Sequence, residues 1–226
     1  MTDLAGLRRT VAVMAGPDIA VAVQDTQSPE GTLWPREVAA SSRAIPARRA
    51  EFTAGRVAAR QAMTALGLPA SAIPMGPDRA PQWPAGLIGS IAHAGRACVV
   101  ALARSEAFAG IGIDLEPAEP LCADLWETVL RPEERAALAL LPEDQQGLAA
   151  LRIFVAKEAV YKCQYPQSRT LLGFGAFTVT VSATGFTARF AYDTPPFGAA
   201  DSFHGQFGLH NGLIIALVVQ HRVQTL

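Results

Sequence analysis

Apolar and polar positions change rhythm several times along this 226-residue chain. Short apolar runs and strict alternation mark strands, whereas an apolar stripe every three or four residues marks a helix. On that basis "DIAVAVQD" (18–25) predicts an early strand. "IPARRAEFTAGRVAARQAMTALG" (45–67) predicts a helix with Pro46 in its first turn and Gly67 as its stop. The Pro-rich "LPASAIPMGPDRAPQWPAG" that follows predicts a surface loop. "LIGSIAH" and "ACVVALA", separated by a turn at "AGR", predict an antiparallel pair, and "GIGIDLE" (110–116) predicts another strand, stopped by Pro117. The stretch "ADLWETVLRPEERAALALLPEDQQGLAALRIFVAKEAVYKC" is helical in pattern, with breaks at Pro132 and Pro142. The remainder turns to β through "FGAFTVTVSA", "GFTARFAYD" and "FGLHNGLIIALVVQ", with a hairpin turn at His210-Asn211-Gly212. Strands and helices mixed without regular βαβ alternation predict an α+β fold.

One helical segment conflicts with its own apolarity. In "FVAKEAVYKC" (154–163), Leu151, Phe154, Val155 and Tyr165 share one helical face, and Ile153, Ala156 and Val160 share another. A helix apolar on two faces is packed on both sides. Glu158 and Lys162 nonetheless project from the centre of the first face, one turn apart. Charges in that position are costly unless something pairs with them. Taken alone, a buried pair within the helix would satisfy them.

Composition narrows the options. Half of the residues are apolar, enough for a real core, and the length suits one large domain or two modest ones. A net charge of −1 gives no global field favouring nucleic acid or an anionic membrane, so neither partner is expected and any anion site must be local. The longest clean apolar runs, "LIIALVV" and "ACVVALA", have strand length and fall far short of the roughly 20 residues a membrane helix needs. Two arginines precede an apolar stretch in "LRRTVAVMAGPDIAVAV", as in an export signal, but Pro17 and Asp18 cut it short. Cys98, Cys122 and Cys163 lack CxxC spacing and are odd in number, which predicts free thiols and a cytoplasmic protein.

In "GIGIDLEP", Ile111, Ile113 and Leu115 share one strand face while Gly112, Asp114 and Glu116 share the other. Carboxylates on alternate positions lie roughly 7 Å apart at the α-carbons and can converge on one cation. Their oxygens suit Mg²⁺, and the glycine beside them is read as leaving that face open to a ligand. An isolated Asp-x-Glu also fits a strand with its polar side in water. His93 follows a strand and has no second histidine at metal spacing, so it reads equally as structural, and zinc is not expected. Arg48, Arg49, Arg56 and Arg60 cluster on the early helix, where they could grip a phosphate or line a solvated face. No GxxxxGK[ST], GxGxxG or GxSxG motif is present.

Taken together, these segments resemble the 4′-phosphopantetheinyl transferases of the two-subdomain type that serves siderophore, peptide and polyketide synthases. Five blocks match in order across about residues 45–165: "RRAEFTAGRVAARQAM", "RAPQWPAGLIGSIAH", "GIGIDLEP", the helical middle and "FVAKEAVYKC". The last resembles the family's Lys-Glu-Ala/Ser-x-x-Lys signature.

The resemblance implies two similar α/β subdomains, residues 1–110 and 111–226, related by a pseudo-twofold with the active site in the cleft between them. It implies transfer of the phosphopantetheine arm of coenzyme A to a serine of an apo carrier protein, with release of adenosine 3′,5′-bisphosphate. Asp114, Glu116 and Glu158 would hold Mg²⁺ (or Mn²⁺), and Glu158 would also take the proton from the serine. Lys162, supported by Lys157, would steady the pyrophosphate. Arg48, Arg56, Arg79 and His93 would contact the nucleotide phosphates. One departure is that Ala92 stands where the family commonly has Ser or Thr before the histidine, which removes a hydroxyl near the phosphates. One chain contains every part this chemistry needs, so a monomer is expected. The alternatives are a non-catalytic coenzyme A or carrier-protein binding module, and a metal-dependent phosphodiester hydrolase using the same acids. Intact Asp114, Glu116, Glu158 and Lys162 argue against the first, and the lack of a dedicated water activator argues against the second.

Overall fold

Leu7 and Val11, one helical turn apart, are both fully buried, and they dock the first helix, α1 (Leu4–Ala15), onto the strand that follows. Burying each such side chain stabilises by about 1.5–3 kcal/mol. Asp3 caps the helix by accepting from the Gly6 amide at 2.8 Å. The stretch that resembled an export signal is therefore an amphipathic helix with its arginines outward. The computed structural model describes residues 3–222.

The predicted early strand is β1 (Ala20–Asp25), followed by a short helix α2 (Pro35–Ser41) and the long α3 (Pro46–Ala65). Pro46 sits in the first turn of α3, and Gly67 just beyond it has a positive φ of 71°. Strands β2 (Leu87–Ala94) and β3 (Ala97–Arg104) form the expected antiparallel pair, and β1 joins them in the order β1-β3-β2. The small side chains of Ala58, Ala59 and Ala62 bring α3 close to this sheet, where Met63 packs with Val100 and Leu102.

Between Arg104 and Phe108 the chain passes to a second antiparallel sheet. Its members are β4 (Phe108–Pro117), then, after helices α4 (Trp126–Val129), α5 (Pro132–Leu138) and α6 (Glu143–Ser168), strands β5 (Phe177–Val181), β6 (Gly185–Phe190), β7 (Ser202–His210) and β8 (Leu213–His221). The strand order is β4-β8-β7-β6-β5. Pro132 opens α5 and Pro142 caps α6, so both predicted breaks are helix starts. Asn211 and Gly212, both at positive φ, make the β7–β8 hairpin turn.

The architecture is α+β, with a long helix laid on each of two antiparallel sheets. One sheet has three strands and the other five, so the halves share a plan but not a size. They also share a core. Val99 and Ala101 of the small sheet meet Ile111, Ile113 and Leu115 of β4, with α1 packed over both. Strands β2 and β4 are the edges that face each other at this seam, and the Ile113 amide donates to Ser90 Oγ across it at 3.1 Å. Helix α6 covers the other face of the large sheet, above an aromatic core of Phe177, Phe186, Phe190 and Phe203. Among the described residues, no helix is long and apolar enough to cross a membrane.

Candidate active site at the seam

Two glycines decide where the charged face of α6 comes to rest. A Cβ at Gly112 would lie 1.8 Å from the Ala159 carbonyl oxygen, and one at Gly110 would lie 2.4 Å from that of Cys163. Gly112 thus admits the helix backbone. The sequence reading, that it leaves the strand face open to a ligand, is corrected here: α6 occupies that space. The close approach sets the helix against the carboxylates of β4.

Lys162 Nζ reaches Asp114 Oδ1 at 2.5 Å and the Ile113 carbonyl at 3.2 Å. The inward charges of α6 are explained in part by this bond between helix and strand, which stands in place of the intrahelical pair that the spacing also allowed. Asp114 is 5% exposed, and its second oxygen, Oδ2, is buried with no hydrogen-bond partner among the described residues. Burial pushes the Asp114 carboxyl upward against the opposing pull of Lys162. Glu116, two residues on, is pushed up to about 7 by burial and then by the charge of Asp114, with Glu158 adding to the effect. Burial likewise raises Glu158, partly offset by Lys162.

These three acids therefore sense one another, and a divalent cation would relieve both their repulsion and the unpartnered Asp114 oxygen. Oxygen-only donors of this kind fit Mg²⁺ or Mn²⁺. With Lys162 on Asp114, no three His, Cys, Asp or Glu side chains among the described residues stand at metal-holding spacing.

On the opposite side of the seam, His93 at the end of β2 lies 2.8 Å through Nε2 from Arg48 Nη1, which also pairs with Glu51 at 2.9 Å. Burial lowers the His93 pKa, and the ring senses both Lys162 and Asp114. As the acceptor from Arg48, it is a neutral imidazole. Ala92 beside it is 2% exposed, in contact with the seam core.

Arg56 is 6% exposed. Its Nε donates to the Ile73 carbonyl at 3.1 Å, its guanidinium covers the Phe52 ring, and burial draws its pKa down to about 10. It supports the base of the 68–86 loop, while Arg79 is exposed at the loop's tip with a positive φ of 66°.

Lys157 requires a correction. The sequence reading set it beside Lys162 at the phosphates, but its ammonium is held by Glu134 and its side chain is 1% exposed. It donates to Glu134 Oε2 at 2.6 Å and to the Val129 carbonyl at 2.8 Å. The apolar burial that two-faced packing of α6 predicts extends to this lysine, and a partner 23 residues away in sequence neutralises it. Glu134 was not singled out from sequence, nor was Glu37, whose carboxylate is fully buried and takes Arg60 and the Ile73 amide. A cavity of about 210 Å³ lies beside Glu158, lined also by Lys157, Tyr161, Leu172, Gly173, Phe174 and Phe177.

Residues 36–103 match the family described as 4′-phosphopantetheinyl transferase N-terminal domain, and residues 110–218 match the 4′-phosphopantetheinyl transferase superfamily. The 4′-phosphopantetheinyl transferase Svp of Streptomyces mobaraensis is 37% identical over 202 residues, covering 84% of this chain and 79% of its own. The 4′-phosphopantetheinyl transferase PptT of Mycobacterium tuberculosis is 31% identical over 217 residues, covering 89% of this chain and 92% of its own. Enterobactin synthase component D of Salmonella typhimurium is 37% identical over 138 residues, 59% of this chain and 55% of its own. The chain belongs to the 4′-phosphopantetheinyl transferase superfamily, in its two-subdomain form, and is an enzyme of that transferase class.

Proposed function

We propose that this protein moves the 4′-phosphopantetheine arm of coenzyme A onto a serine hydroxyl of an apo acyl or peptidyl carrier protein, in a Mg²⁺-dependent reaction that releases adenosine 3′,5′-bisphosphate. The observation that carries this reading is the seam cluster: Asp114 with one oxygen on Lys162 and one unpartnered, next to Glu116 and Glu158. Phosphoryl transfer asks a protein mainly for positioning and neutralisation of charge, and this cluster offers both.

Asp114, Glu116 and Glu158 would hold the ion, which when bound neutralises pyrophosphate oxygens. Lys162 exchanges part of its bond to Asp114 for a phosphate oxygen and stabilises charge on the departing bisphosphate. Glu158 accepts the serine proton at a carboxylate oxygen; its raised pKa strengthens it as a base. The serine oxygen then bonds to the phosphorus of the pantetheine arm as the bond to the adenosine bisphosphate breaks. Arg48, His93, Arg56 and Arg79 contact the nucleotide phosphates, Arg56 through whatever its guanidinium exposes above Phe52. Lys157 acts as a buried strut between α5 and α6, through its bond to Glu134. The cavity beside Glu158, lined by the rings of Tyr161, Phe174 and Phe177 with Leu172 and the charged residues Lys157 and Glu158, suits a linear and partly apolar chain such as the pantetheine arm.

A single chain carries all of these residues, so the monomer suffices. Two buried free thiols and an exposed one at Cys122 fit a reducing cytoplasm. The test is the intact mass of an apo carrier protein after incubation with this protein, coenzyme A and Mg²⁺. The expected result is a gain of one phosphopantetheine that a chelator abolishes. No gain on any of several apo carriers, with coenzyme A still bound, would overturn the assignment.

A further inference from the structure

The loop that carries Arg79 is tied down at its base and its tip by residues outside the catalytic cluster. At the base, both backbone groups of Ile73 are taken: its amide donates to Glu37 Oε1 at 2.8 Å, and its carbonyl accepts from Arg56 Nε at 3.1 Å. Above this the chain doubles back, with the Gln82 amide on the Pro74 carbonyl and the Gly76 amide on the Ala80 carbonyl, both at 2.8 Å. Arg79 sits in the resulting turn in the left-handed region, which a non-glycine residue holds only when its surroundings fix it.

Asp78 supplies that fixing. Its Oδ1 accepts from the Ala80 amide at 3.1 Å and closes the turn. Its Oδ2 accepts from the Tyr165 hydroxyl at 2.7 Å, 87 residues away in sequence. Tyr165 is 9% exposed on α6, seven residues after Glu158 and three after Lys162, so its ring is anchored in the helix that bears both. The hydroxyl is the largest influence holding the Asp78 carboxyl below its ordinary range. Arg169, at the end of the same helix, lies 3.9 Å from Asp78 Oδ2 and over the Tyr165 ring.

We propose that Tyr165 and Asp78 form a latch between the two subdomains that sets the position of Arg79 relative to the catalytic helix, and thereby the affinity for the 3′-phosphate of coenzyme A. Tyr165 and Asp78 are positioning residues here. This inference rests on the coenzyme A reading above, with Arg79 as a phosphate contact. The physical reason for a latch is that Arg79 sits on a loop of one subdomain while the metal-binding acids and Lys162 belong to the other. An exposed arginine on an untethered turn would spend part of its contact energy on being ordered.

The test compares wild type, Tyr165→Phe and Asp78→Ala by calorimetric titration with coenzyme A and with 3′-dephospho-coenzyme A in Mg²⁺ buffer, alongside amide hydrogen exchange over residues 75–82. Tyr165→Phe keeps the ring and removes only the hydroxyl. It is expected to speed exchange in the loop and to weaken coenzyme A binding by about tenfold, with dephospho-coenzyme A changed by less than about twofold. Asp78→Ala gives the same selective loss, and neither variant adds to the loss caused by Arg79→Ala. Tyr165→Phe with unchanged exchange and an undiminished preference for coenzyme A overturns the latch alone. A loss that falls equally on both ligands, or that adds to Arg79→Ala, also overturns it. Wild type that binds both ligands equally removes Arg79 from the 3′-phosphate, and wild type that binds neither overturns the proposed function itself.

Discussion

Asp114 has two oxygens with different surroundings, one on a lysine and one buried without a partner among the described residues, and Glu158 stands near enough to sense the charges of both Asp114 and Lys162. Such an arrangement is costly to an empty fold and useful to one that binds a cation and an anion together. Residue-level tests should therefore separate function from folding. Glu158→Gln keeps shape and removes the base, and transfer should fall by roughly 10²- to 10⁴-fold. Its circular dichroism and thermal midpoint should stay at or above wild type, because a neutral amide costs less to bury than a carboxylate. A variant that still modified carrier protein at near wild-type rate would remove Glu158 from the proton-accepting role.

At the scale of elements, α6 works as a rigid bar held on two sides, and each side gives a prediction. On the sheet side, Gly112→Ala would place a methyl 1.8 Å from the Ala159 carbonyl. Because the obstacle is backbone, the helix must move, at a cost of about 3 kcal/mol, which corresponds to a fall in thermal midpoint of about 10 °C. Transfer should fall with it, since the Asp114–Lys162 bond depends on the same approach. On the α5 side, Lys157→Ala leaves Glu134 buried without its cation, and urea denaturation should report a loss of about 3–5 kcal/mol. If Lys157→Ala instead kept full stability and lost only transfer, its assignment as a strut would be wrong and the phosphate role would return.

At the scale of the whole molecule, the residues to which this chemistry is assigned under the proposed function gather where two sheets meet at their edges. His93 and Arg48 come from the small sheet and its helix, and Asp114, Glu116, Glu158 and Lys162 come from the large one. A ligand gripping both sides binds only the assembled protein and so stabilises it by mass action. Coenzyme A with Mg²⁺ at about 100 times its Kd should add about 2.7 kcal/mol, read as a rise in thermal midpoint. Chelation should remove most of that rise. A rise equally large in chelator would mean that the nucleotide is held without the ion and would weaken the metal role of the three acids.

Local pattern was enough to specify most elements of this protein. Short apolar runs about a turn gave β2 and β3, alternation gave β4, Pro46 and Gly67 bounded α3, and Asn211-Gly212 marked the hairpin, since these signals act over a few residues and depend on backbone sterics. The ordered set Asp114, Glu116, Glu158, Lys162 was legible through the family resemblance, whereas taken singly the same residues also fitted a solvated strand face and a pair within the helix. Helices α1 and α2 were not legible. Arginines and a proline obscured the first, and the second is a seven-residue segment whose buried members are both polar, Ser41 and Glu37, the latter paired with Arg60. Three further assignments needed the tertiary structure: Lys157 facing Glu134, Gly112 admitting α6 in place of a ligand, and Tyr165 reaching Asp78 across the seam. Each joins residues at least 23 positions apart or turns on how closely two backbones approach. Sequence alone determined which residues carry charge and which elements bear them, whereas the packing of α6 on β4 decided which charges meet.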